Sequence, residues 1–308
     1  MRETLKLPLK GIIPPLVTPL LDNDSIDIKG LERLIEHVIS GGVCGVFILG
    51  TTGEFASLSY KLRIEMIERT CLLVNRRVPV LVGITDSAFT ESLNLARVAA
   101  VCRADAVVLA PPYYFTPRQP ELLEYLQRIM VQMPLPLFIY NMPVHTKVTF
   151  EPETLIAAAD INGIIGMKDS SSNLAYIKQV QYALRDRHNF TFMVGPEEFM
   201  SEFVITGGHG GVNGGANMFP KLYVELYNAS VIRDFKKIIP LQHKVMQIST
   251  TIYKVGLYES SYLKGLKCAL SVMGICNDFM AEPFRRFKKP EREKIRKLLD
   301  ELNYSELL

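Results

Sequence analysis

The chain has little of what would staple, anchor or metallate a protein. Its five cysteines, Cys44, Cys71, Cys102, Cys268 and Cys276, are odd in number, widely spaced and form no C-x-x-C pair. That pattern excludes a disulfide framework and reads as reduced, mostly buried thiols of a cytoplasmic protein. The five histidines, His37, His145, His188, His209 and His243, are scattered without metal-ligand spacing, so no metal is expected. Charge of one sign is also missing: 35 Lys and Arg stand against 32 Asp and Glu, a net charge of +3. No strong field therefore marks a nucleic acid or other anionic polymer as the partner. No apolar run approaches the ~18 residues of a membrane span. The stretch from Met1 to Lys10 alternates charged and apolar residues, so no leader peptide is expected. Nucleophile-elbow, dinucleotide-binding and Walker motifs are absent as well, which points to catalysis without a bound cofactor.

What is present is ordinary globular material, 308 residues with 48% hydrophobic and 22% charged. Such a chain can bury most of its apolar surface unaided, as two domains or as one large barrel with an appendage. Short apolar runs recur at Gly11–Val17, Gly45–Leu49, Val78–Gly83, Ala106–Leu109, Leu137–Tyr140, Gly163–Met167, Thr191–Val194 and Gly211–Asn213. Longer segments of helical period lie between most of them, and Leu31, Leu34, Ile35 and Val38 form one such stripe. Strands buried on both faces and joined by crossover helices predict a (β/α)8 barrel of the α/β class. After about Pro220 the strand signal stops and only helical segments follow. The expected division is a barrel over 1–225 and a helical bundle over 226–308 packed on it. The basic stretch Arg285–Lys297 has Glu291 and Glu293 interleaved and reads as a solvated helix face.

Barrel active sites lie where strands end at the carboxyl side, so the polar residues closing each run are the candidates. Gly50-Thr51-Thr52-Gly53-Glu54 could cradle a carboxylate with adjacent N–H groups and hydroxyls, or be a plain turn whose threonines cap the next helix. Tyr140 could be a phenol acid/base or an amphipathic cap on the core. Lys168 ends an apolar strand, where desolvation favours the free amine that attacks a carbonyl; it could equally snorkel to the rim. Pro111-Pro112-Tyr113-Tyr114 is rigid and aromatic and suits a pocket wall or an interface. His209, in Gly207-Gly208-His209-Gly210-Gly211, is read as structural.

Taken in order, Gly-Thr-Thr-Gly-Glu, Pro-Tyr-Tyr, Tyr-Asn-Met-Pro, Gly-Met-Lys-Asp-Ser and Gly-Gly-His-Gly resemble the dihydrodipicolinate synthase / N-acetylneuraminate lyase family of Schiff-base aldolases. The resemblance implies that Lys168 forms an imine with the ketone of pyruvate, and that Thr51 and Thr52, beside Gly50, hold its carboxylate. It implies that Tyr140 shuttles protons with Thr51, and that Tyr114 joins this relay across a subunit interface. Gly195 and Val212 match positions lining the pyruvate pocket. A homotetramer acting on a small 2-oxo acid is implied, with no cofactor beyond the imine itself. One departure bears on the substrate: His145 stands where the synthases carry an arginine for the aldehyde's carboxylate, and a mostly neutral imidazole cannot supply that fork. Gly195-Pro196-Glu197 likewise replaces Gly-Asp-Asp. Cleavage of a 2-keto-3-deoxy sugar acid is therefore the first expectation, dihydrodipicolinate synthase activity the second, and a non-catalytic 2-oxo-acid-binding barrel the third.

Overall fold

The computed structural model describes residues 5–303 and 307. The first four residues of the segment read for a leader, and residues 304–306 and 308 of the tail, lie outside them. Eight strands form one parallel sheet: β1 (Gly11–Ile12), β2 (Val46–Ile48), β3 (Val80–Gly83), β4 (Ala106–Leu109), β5 (Leu137–Asn141), β6 (Ile164–Asp169), β7 (Thr191–Val194) and β8 (Gly210–Gly211). From β2 to β8 each strand pairs with its neighbour in sequence, and β8 pairs with β1. The remaining edges meet just beyond β1. There the Phe47 N–H donates to the Pro14 carbonyl at 3.0 Å, and the Leu16 N–H to the Phe47 carbonyl at 2.8 Å. The architecture is the expected (β/α)8 barrel with a carboxyl-terminal helical extension.

Strand parity divides the apolar residues into two cores. Phe47, Leu81, Ala106, Val108, Phe138, Tyr140 and Met193 point into the barrel, while Val82, Val107, Leu109, Ile139 and Met167 face the helices outside. The helices read from periodicity are present. Ile28–Ser40 is capped by the Asp27 carboxylate, which accepts the Gly30 N–H at 2.9 Å. It buries Leu31, Leu34, Ile35 and Val38, each worth roughly 1.5–3 kcal/mol of transfer free energy.

Three local expectations shift. Gly11–Val17 is a strand only over Gly11–Ile12, because Pro14 and Pro15 have no N–H to give the ladder. Helices Pro152–Ala159 and Met200–Ile205 are too short to show a periodic stripe and escape a reading by period. The boundary at 225/226 falls inside helix Pro220–Val231, the last barrel helix, which packs on β1. The end of the strand signal does not mark the end of the helix that follows it.

The tail comprises helices Phe235–Thr251, Ser261–Val272 and Lys289–Glu301. Its Ile238, Val245, Leu266, Leu270, Ile295 and Leu299 belong to the same apolar cluster as the outer barrel core. Polar stitches reinforce this: Arg33 Nε donates to the Ile275 carbonyl at 2.8 Å, and the Asn277 N–H to Asp27 Oδ2 at 3.0 Å. On the last helix Ile295 and Leu299 are buried while Arg296 pairs with Glu293, which is the solvated basic face read from sequence. Among the described residues no helix is long and apolar enough to cross a membrane.

Candidate active site

Strand parity and register bring the lysine and tyrosine together. Phe138 and Tyr140 of β5 lie opposite Gly166 and Lys168 of β6, all on the inner face. Gly166 makes room for the floor, since a Cβ there would sit 2.5 Å from the Phe138 ring. Above it Lys168 is only 7% exposed and does not reach the rim. Its Nζ lies 4.4 Å from the Tyr140 ring centroid and 5.2 Å from that of Phe47. The amine thus lies against two aromatic faces, and among the described residues no carboxylate forms a salt bridge with it.

The turn after β2 delivers two hydroxyls to the same place. Leu49 and Glu54 both take left-handed backbone at φ 57°, so the chain turns sharply through Gly50–Gly53. Thr51 Oγ1 is 3.1 Å from the Tyr140 hydroxyl, and Thr52 Oγ1 is 3.1 Å from that of Tyr262. Neither threonine caps the following helix Tyr60–Val74, whose cap is Ser59. Gly50 lines neither of the cavities described below; it packs against the Phe47 ring, and its carbonyl accepts the Gly53 N–H at 3.0 Å. Glu54 fixes the turn from behind. Its carboxylate accepts from Lys267 Nζ at 2.6 Å and from the Ala281 N–H at 2.9 Å, so the tail clamps the loop.

The ends of β5 and β6 are tied by Asp169. Asn141 Nδ2 donates to Asp169 Oδ1 at 2.6 Å, and the Ser171 N–H and hydroxyl donate to Oδ2 at 3.1 and 2.8 Å. Burial pushes this carboxyl above its usual pKa, against those hydrogen bonds. The Gly195 N–H donates to the Asp169 carbonyl at 2.7 Å, and any Cβ on Gly195 would strike Ser170 Oγ. His209 is structural, accepting the Phe192 N–H at Nδ1.

These residues surround a cavity of about 250 Å³ that holds Lys168, Tyr140, Thr51, Thr52, Gly195, Val212 and His145. A second cavity of about 280 Å³ shares Thr51, Tyr140, Met142 and His145 and is otherwise walled by Phe55, Thr85, Tyr113, Leu263 and Phe284. Burial lowers the His145 pKa below the usual imidazole range, so it is neutral at pH 7. Tyr114 is 78% exposed, stacks edge-on with Phe115 and reaches neither cavity within one chain. Sequence reasoning missed Tyr253, Tyr262 and Lys267, which sit on helices with no local mark of a site. Glu197 carried a visible signal as a departure from the family pattern.

Residues 8–302 match the model of the dihydrodipicolinate synthetase family. The chain belongs to the dihydrodipicolinate synthetase family. As a member of that family it is a lyase of the class I, pyruvate-dependent aldolase type. Among relatives, the 4-hydroxy-tetrahydrodipicolinate synthase of Ruthia magnifica is 31% identical over 280 residues, spanning 90% of this chain and 91% of its own. That of Bartonella bacilliformis is 31% identical over 286 residues, spanning 92% and 95%. Among solved structures, dihydrodipicolinate synthase from Bacteroides thetaiotaomicron superposes with a TM-score of 0.95 at 59% identity, covering 96% of this chain and 100% of that one. The E. coli K12 prophage protein YagE, solved with pyruvate, gives 0.90 at 27% identity over 96% and 99%. In this family member, the lysine, phenol and threonine pair converge on one cavity at the carboxyl end of the barrel.

Proposed function

We propose that the protein condenses pyruvate with aspartate semialdehyde through an imine on Lys168, the reaction after which its 4-hydroxy-tetrahydrodipicolinate synthase relatives are named. The carrying observation is a buried amine under a phenol–hydroxyl pair: Lys168 Nζ beside the Tyr140 ring, with Tyr140 OH 3.1 Å from Thr51 Oγ1. The free amine attacks the ketone carbon of pyruvate, the ketone oxygen takes a proton delivered by Tyr140, and water leaves to give the protonated imine. The imine draws electrons from the methyl carbon, which loses a proton and attacks the aldehyde carbon as an enamine. Tyr140 then protonates the new alkoxide, and Thr51 passes protons between this phenol and solvent. The adduct's own amino group attacks the imine carbon, closing the ring and releasing the Lys168 amine. Thr51 and Thr52 hold the carboxylate by N–H and hydroxyl, while Gly195 and Val212 shape the pocket. The reaction needs no cofactor beyond the imine. In a cytoplasmic homotetramer, the exposed Tyr114 enters the relay of a neighbouring subunit.

The sequence reading put sugar-acid cleavage ahead of this reaction, and the names of the relatives reverse that order. One observation still favours cleavage of a 2-keto-3-deoxy sugar acid as the second reading. Among the described residues no arginine lines either cavity, and neutral His145 occupies the place from which a guanidinium would grip a second carboxylate. Borohydride with pyruvate is expected to trap a reduced adduct on Lys168 that Lys168→Ala lacks; no adduct on the native chain removes the enzyme reading in favour of a binding barrel. Turnover of pyruvate with aspartate semialdehyde, measured beside pyruvate release from 2-keto-3-deoxy acids, decides the substrate. Faster release from the sugar acids overturns the synthase assignment.

A further inference from the structure

We propose that Tyr262, supplied by the helical tail, is a positioning residue that orients the Thr52 hydroxyl toward the substrate carboxylate by donating its own phenolic proton to Thr52 Oγ1. This rests on the reading that Thr51 and Thr52 hold that carboxylate. The two oxygens are 3.1 Å apart, and both residues line the cavity that contains Lys168. Either hydroxyl could donate, but the two directions differ once an anion is present. If Thr52 donated to Tyr262, its oxygen would turn lone pairs toward the carboxylate. If Tyr262 donates, the threonine proton is left for the anion, giving a charge-assisted hydrogen bond. Burial and the nearby Glu197 carboxyl hold the phenol above its ordinary pKa, so it keeps the proton it must donate.

The phenol is held in place by two neighbours. A Cβ on Gly214 would lie 1.8 Å from the Tyr262 hydroxyl, so this position admits the phenol only because it is glycine. The Tyr262 ring packs edge-on against Tyr253, with centroids 4.8 Å apart. Tyr253 is itself fixed, its hydroxyl donating to Glu197 Oε1 at 3.0 Å. Glu197 also accepts the Tyr223 hydroxyl at 2.6 Å and the Gly215 N–H at 3.0 Å. Gly215 repeats the device, since its Cβ would lie 1.9 Å from the Tyr223 hydroxyl. The buried, mutually satisfied polar groups around Glu197 hold Tyr253 rigidly, and Tyr253 in turn packs the Tyr262 ring that carries the hydroxyl beside Thr52. On this account the tail completes the 2-oxo acid site as well as covering the barrel.

The test is the pyruvate dependence of borohydride trapping on Lys168, read with steady-state KM and kcat in a double-variant set. Tyr262→Phe keeps the ring and its packing on Tyr253 and removes only the hydroxyl. It is expected to raise the half-saturating pyruvate concentration about tenfold, the worth of one oriented hydrogen bond to a charged group, with kcat changed less than about threefold. Gly214→Ala, which pushes the phenol off Thr52, is expected to give the same split. In a Thr52→Val background Tyr262→Phe should add nothing, and in Thr52→Ser its effect should return. An unchanged half-saturation in Tyr262→Phe, or an equal effect with and without the Thr52 hydroxyl, overturns the inference alone. If Thr52→Val itself leaves pyruvate capture unchanged, the carboxylate reading falls and the inference with it.

Discussion

Lys267→Met would remove one half of an ion pair on which both the tail and the threonine turn depend. The Lys267 and Glu54 side chains are 0% and 3% exposed, and Nζ lies 2.6 Å from Oε2. The same amine donates to the Thr18 carbonyl at 2.9 Å. Without it the Glu54 carboxylate stays buried with the Ala281 N–H as its one remaining donor among the described residues, and the Thr18 carbonyl loses this partner. Breaking a buried pair from one side costs about 3–5 kcal/mol, a large part of the roughly 5–15 kcal/mol that holds a typical fold. Urea unfolding followed by far-ultraviolet circular dichroism suits a chain without tryptophan, and should show a lower midpoint with an unchanged slope. Combining the change with Glu54→Gln removes the stranded charge and should recover about 2 kcal/mol of the loss. A loss below about 1 kcal/mol in the single variant, or strict additivity in the double, refutes the argument. Because Glu54 is two positions beyond Thr52, the folded fraction of Lys267→Met should also need more pyruvate for imine trapping.

Two further outcomes follow from the site. Tyr140→Phe keeps the ring beside Lys168 and removes only the proton carrier, so kcat should fall about 10²–10⁴-fold with little change in thermal stability; a fall below tenfold, on the order of a lost hydrogen bond, would take the phenol out of the relay. Glu197 gives a pH signature: burial raises its carboxyl from 4.5 to about 7, so over that window the fold keeps a proton that the unfolded chain has released. Stability from this group is therefore highest below the lower value and declines by about 3 kcal/mol as pH rises to the upper one. Urea unfolding across the window should show that decline in the native chain relative to Glu197→Gln, and identical pH dependence in the two proteins would contradict it.

The barrel was legible because each βα unit is a local object. Val80–Gly83 and Ala106–Leu109 are short apolar runs closed by polar residues, and the helix Ile28–Ser40 shows its stripe within its own length. The same locality made Thr51, Tyr140 and Lys168 visible, since each ends a strand at the face where barrels do chemistry. Choosing between their two readings needed neighbours. One reading sent Lys168 to the rim and used the threonines to cap a helix. The Phe47 and Tyr140 rings around the amine, and Ser59 at the helix start, decide otherwise. Tyr114 stays outside what one chain can assemble, because its exposed ring meets neither cavity.

The sequence by itself determined where the strands lie and which longer segments are helices, and which strand ends carry an amine, a phenol and two hydroxyls. Those properties depend on residues a few positions apart, where periodicity and turn chemistry act. Only the tertiary structure decided that Thr52 meets Tyr262 and Glu54 meets Lys267, pairs separated by 210 and 213 positions. A buried lysine on an amphipathic helix has no local signature. Its charge is tolerable only because closure of the barrel and docking of the tail bring a carboxylate to it. The helical tail, which composition and period marked simply as apolar helices, is thereby fixed as part of the site.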